Sequence, residues 1–199
     1  MIQWRSDGLS PRSQYVLSDA QLNDLLLHTV DLRDRIILEL FVFCGLRLME
    51  AASLEIARID FDNKMIQVVG KGQKIRNVPA PGFLLDKLRK YLGRRVKGYA
   101  FTGRDGRDHL TDRAVQAVVK AAGERINFKQ TCPGLYFLNP HTLRHTCARR
   151  MKGAGFDYEE IARFLGHNSI AKVAMMYGTK TFKEVQEKAD NSLFNLRIG

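Results

Sequence analysis

Apolar side chains recur along this chain at helical spacing in most segments and at strand spacing in one short stretch before residue 80. Ser18 and Gln21 form a capping-box pattern ahead of Leu22, Leu25 and Leu26, which predicts a first helix opening at residue 18. Residues 32–43 carry Ile36, Ile37, Leu38, Leu40, Phe41 and Val42; so broad an apolar surface predicts a buried helix, stopped by Cys44 and Gly45. Residues 46–54 read as a third, short helix. The β-prone runs at 59–61, 65–69 and 75–78 are divided by Asp62-Asn63 and by Gly70-Lys71-Gly72, and Pro79 and Pro81 end them. That pattern predicts a small antiparallel sheet. Helical spacing returns at 83–91, 111–126, 142–151, 158–165 and 170–177. The predicted fold class is α+β, mostly α-helical with a small three-stranded antiparallel sheet. The absence of internal repeats and of a βαβ series excludes solenoids and doubly wound sheets.

Length adds one constraint: 199 residues suit a single buried core. Residues 1–17 lack periodicity and read as a tail or linker, 18–180 as the domain, and 181–199 as a C-terminal helix or tail. No apolar run approaches the ~18 residues that span a bilayer, and the first ten residues lack a signal-peptide core, so a soluble, cytoplasmic protein is expected. The 32 Lys and Arg residues exceed the 21 Asp and Glu residues, and a net charge of +11 attracts polyanions, nucleic acid first among them. Charge alone does not separate a nucleic-acid partner from solubilising lysines. Cys44, Cys132 and Cys147 are odd in number and widely spaced, which predicts neither a disulfide framework nor a cysteine zinc site.

Four stretches hold candidate chemistry. In Gly45-Leu46-Arg47-Leu48-Met49-Glu50 a glycine ends the buried helix and Arg47 opens the next, where an arginine can clamp phosphate and Glu50 can hold its guanidinium; a plain surface ion pair is the alternative. In the hairpin tip around Lys71 the flanking glycines allow a lysine to be delivered into a DNA groove, or merely to be solvated, and the strand that follows is wrong for a P-loop. Pro140-His141-Thr142-Leu143-Arg144-His145 sets His141 and Arg144 on one helix face, a pair suited to phosphoryl chemistry. His141 and His145 have a zinc spacing, but the Glu of HExxH and a third ligand are missing, so neither metal nor cofactor is assigned. Last come Leu165-Gly166-His167 and Tyr177-Gly178, in which Tyr177 sits at a helix end either as a nucleophile or as a half-buried core residue.

Taken together and in this order, the stretches from Gly45 to Tyr177 closely resemble the catalytic domain of the tyrosine recombinase and phage integrase family, which includes Xer-type resolvases. The resemblance implies that Arg47, Arg144 and His167 hold a scissile phosphate, that Lys71 is the general acid for the leaving 5′ oxygen, and that His141 assists proton transfer. Tyr177 would be the nucleophile forming a 3′-phosphotyrosyl link, with Glu50 and His145 in support. It further implies double-stranded DNA as partner, a homotetramer on paired sites, and strand breakage and rejoining without metal or ATP. Its C-terminal tail, with Phe182, Val185, Ala189, Leu193 and Leu196, would dock on a neighbouring protomer or pack on its own domain.

Three departures from the family pattern stand out. Tyr177 lies ten residues after His167, one more than is common. Arg58 stands where an acidic residue is usual, leaving Asp60 to support Arg47 in its place. The residues before Ser18 are too few for the helical core-binding domain, which implies a fragment of a longer integrase or a small recombinase that relies on partners. Rival readings are a type IB topoisomerase with similar residues and a DNA-binding relative that has lost catalysis.

Overall fold

In a computed structural model the described residues are 16–70, 75–103, 105–128 and 138–167. Helix α1 (Asp19–Leu27) opens on the Ser18–Gln21 capping box, each side chain accepting from the other's backbone N–H. Helix α2 (Leu32–Phe43) starts at the Asp31 cap and buries every residue from Ile36 to Val42, the all-round burial its composition requires. It forms the centre of the core, packed against α4 (Gly82–Leu92) on one side and α6 (Pro140–Gly153) on another.

Between these lie α3 (Leu48–Ala52), a 3₁₀ turn at Ile56–Arg58, and strands β1 (Ile59–Asp60), β2 (Met65–Val69) and β3 (Ile75–Pro79) in an antiparallel sheet of order β1-β2-β3. Ile66 pairs with Val78 and Val68 with Arg76, so Ile66, Val68 and Val78 share the core face, and Arg76 continues that face at its edge. The register thus aims an arginine inward. Helix α5 (Asp112–Arg125) is capped by Thr111, and α7 (Tyr158–Leu165) by the reciprocal Asp157–Glu160 box.

Among the described residues the predicted elements hold, with boundaries moved by a few residues, and so does the fold class. The 46–54 helix contracts to α3, because Leu46 is buried ahead of the helix and Arg47 has extended backbone at its N-cap. The 142–151 helix instead lengthens, since Asn139 caps it and Pro140 takes the first turn, where a missing N–H is harmless. The segments at 170–177 and 181–199 lie outside the described residues. Cys44 and Cys147 are buried free thiols, and burial raises the pKa of both. Among the described residues no helix is long and apolar enough to cross a membrane.

Candidate active site

The C-terminal end of α7 organises the site. A helix terminus leaves its last carbonyls unpaired and partially negative, and here Gly166, in the left-handed conformation at φ +67°, turns the chain away. Three consecutive carbonyls each receive a different arginine: Phe164 O accepts from Arg76 Nε at 3.2 Å, Leu165 O from Arg144 Nη2 at 2.7 Å, and Gly166 O from Arg47 Nη2 at 2.6 Å. Three distant pieces of sequence therefore meet on one helix end, with cations where the helix dipole favours them.

Arg144 is the innermost of the three, only 6% exposed. Its Nη1 donates to Gly45 O, and its Nη2 lies 3.3 Å from His167 Nε2. Because a guanidinium only donates, Nε2 must be the acceptor, so the neutral ring carries its proton on Nδ1. Burial, then Arg144 and Arg47, push the His167 pKa down to about 4. Gly45 is also required: at φ +58° its added Cβ would stand 2.5 Å from Leu165 Cδ2.

Arg47 is anchored by Glu50, whose Oε1 accepts from its Nη1 and whose Oε2 accepts from its backbone N–H, both at 2.8 Å. With its own N–H engaged, Arg47 presents its guanidinium; its side chain remains 39% exposed. Glu50 itself is buried, and Arg76 grips it with two further bonds at 2.6 and 2.8 Å. Burial would raise the Glu50 pKa, but the bonds from Arg76 and Arg47 outweigh it and hold the pKa at about 2.

Glu50 thus holds the Arg47 guanidinium, as its place one turn later allowed, and Asp60, the substitute offered for the acid missing at Arg58, does not. Asp60 Oδ1 accepts the N–H groups of Asp62 and Asn63 and its Oδ2 accepts from the Asn63 amide, closing the β1–β2 turn, while Arg58 bonds Gln67 at 3.0 Å on the opposite sheet face. Sequence reasoning gave Arg76 no role. The alternation of β3 was its only local signal, since Arg76 falls in phase with Val78 on the core face. His141 is exposed in the first turn of α6, and His145 is half-buried one turn on, where burial, His141 and Arg144 lower its pKa to about 4. Lys71 and Tyr177 lie outside the described residues. A cleft of about 310 Å³ beside α3 touches Glu50 but not Arg47, Arg144 or His167.

The sequence model of the phage integrase family matches residues 16–184. The chain belongs to that family. The tyrosine recombinase XerC of Pseudomonas fluorescens is 35% identical over 186 residues, which cover 91% of this chain and 58% of the relative. XerC of Azotobacter vinelandii is 36% identical over 165 residues, 80% of this chain and 51% of the relative. This phage integrase family chain thus spans a little over half the length of these relatives. Its fold is also that of solved structures: a XerA recombinase crystal structure gives a TM-score of 0.71 at 23% identity, covering 88% of this chain and 64% of that one. The Tn1549 transposon integrase in complex with transposon right end DNA gives 0.77 at 17% identity, covering 95% and 69%.

Proposed function

We propose that this chain is the catalytic domain of a site-specific DNA recombinase that cuts and rejoins strands through a 3′-phosphotyrosine. The carrying observation is the convergence of Arg47, Arg144 and His167 on the end of α7. Two guanidiniums beside a neutral imidazole make a site for a phosphodiester: the arginines bind non-bridging oxygens and offset the charge that grows in the pentacoordinate transition state. In this reading the Tyr177 hydroxyl attacks phosphorus, the bond to the 5′ oxygen breaks, and Lys71 gives that oxygen its proton. His141 assists proton transfer, and Glu50 and His145 support the arginines. No ATP is required, because the phosphotyrosyl link keeps the bond energy until a 5′ hydroxyl attacks it.

Double-stranded DNA is the partner this chemistry needs, and the net charge of +11 favours it. XerC relatives, of which the matched residues make up only 58% and 51%, support a further proposal, that a DNA-binding domain outside residues 1–199 completes the clamp. Assembly as a tetramer on paired sites follows from strand exchange between duplexes. The test is to incubate supercoiled plasmid bearing the gene's native flanking DNA with protein in EDTA, quench with SDS, and look for protein bound covalently to DNA. An adduct with wild type and none with Tyr177→Phe is expected. An adduct that persists in Tyr177→Phe would refute the assignment of the nucleophile, and none with either protein would refute the catalytic reading.

A further inference from the structure

Arg76 is not among the residues that the boxes from Gly45 to Tyr177 nominate, yet its side chain is 14% exposed and fully engaged. It grips Glu50 with both terminal nitrogens and donates Nε to Phe164 O. Gly166 leaves room for it, since an added Cβ there would lie 2.8 Å from Arg76 Cδ and 2.9 Å from Nε.

The Glu50 side chain is 3% exposed and ionised, and a carboxylate so placed needs a cation. If Arg47 were its sole partner, the two charges would cancel and the outer guanidinium would offer a phosphate little net attraction. With Arg76 on the same two oxygens, the trio carries one net positive charge, and the exposed member is Arg47. Arg76 comes from the sheet and Arg47 from the turn before α3, so their meeting on Glu50 also fixes the sheet against the end of α7.

We propose that Arg76 is a positioning residue for strand cleavage: it neutralises Glu50 from behind, so that Glu50 orients Arg47 without consuming the charge Arg47 presents to the scissile phosphate. This rests on the recombinase reading above. Arg76 touches no substrate in it and acts through Glu50.

The test compares Arg76→Gln, Arg76→Lys and the double variant Glu50→Gln/Arg76→Gln in the covalent-adduct assay, with circular dichroism for folding and fluorescence anisotropy for DNA affinity. Arg76→Gln leaves Glu50 to cancel Arg47 and should lower the adduct rate about 10²-fold, as misplacement of a positioning group does. The double variant removes both charges of the supporting pair, and the amide oxygen that replaces the carboxylate can still accept the Arg47 N–H, so it should regain about tenfold over Arg76→Gln through the coupling of the two sites. A residue that served packing alone would make the double variant equal to or worse than the single one, and that result in folded proteins would overturn the proposal. Where Arg76→Gln loses the fold, Arg76→Lys keeps the charge and is expected to retain adduct formation; a folded Arg76→Lys protein without adduct would also overturn it. Absence of adduct with wild type would instead overturn the recombinase reading, and this proposal with it.

Discussion

Glu50 accepts four hydrogen bonds from two arginines, so nearly all of its acceptor capacity is used. Groups tuned this strongly give the site a pH signature. His145 and His167 each have a folded pKa near 4 against an ordinary 6.5, so between those values the unfolded chain binds protons that the folded chain refuses. Stability should therefore rise with pH across that window and fall as pH drops through it. Glu50, with a folded pKa near 2 against 4.5, adds a second loss of the same sign at lower pH. Unfolding midpoints measured between pH 4 and pH 7 should slope upward, and His145→Gln should flatten the slope by one proton. A wild-type midpoint independent of pH over this range would contradict the burial assigned to both rings. Gly166→Ala is the sharpest steric probe, because it combines a left-handed backbone with a collision at Arg76. It should cost more than ~1 kcal/mol in urea unfolding and reduce adduct formation as well.

Elements supply the frame that holds these residues still. Helix α2 carries a buried carboxylate, Glu39, whose Oε1 pairs with Lys87 of α4 and with Arg35 at 3.3 Å, while its Oε2 has no hydrogen-bond partner among the described residues. Such a group depends on its cations, and Lys87 is the one that links two helices. Lys87→Met should destabilise by about 1–3 kcal/mol, and Glu39→Gln in the same chain should restore part of it. Chemical denaturation of the two variants decides this; no loss in Lys87→Met would mean that Arg35 suffices. At α7 the capping box acts locally, so Asp157→Ala should cost about 1 kcal/mol and loosen the helix end on which the arginines converge.

At the scale of the whole molecule, the excess of basic residues should govern how the domain meets DNA in the proposed function. Binding should weaken as salt rises, linearly in logarithms, because each phosphate contact releases counterions. Arg47→Ala should lower the magnitude of that slope by about 1, the signature of one lost phosphate contact, in anisotropy titrations at several salt concentrations. An unchanged slope would remove Arg47 from the phosphate contacts.

What the sequence determined by itself was local. The Ser18 cap, the all-round apolar α2, the strand alternation of β2 and β3 and the order of the four boxes rest on residues within a turn or a hairpin of one another, where periodicity and capping chemistry act. The family was legible from those boxes, and the fold class from the spacing of apolar residues. Only the tertiary structure decided which groups meet. Arg47 and Gly166 are 119 positions apart, Arg144 and Gly45 are 99 apart, and Arg76 and Glu50 are 26 apart, separations that no local spacing encodes. Glu50 was named from its spacing and Asp60 as a substitute for the acid missing at Arg58; the turn geometry at Asn63 claimed Asp60, while the helix start at Arg47 claimed Glu50. Arg76 had no role in the sequence reading, and it was the register that turned it inward, toward a carboxylate that burial had left in need of a cation.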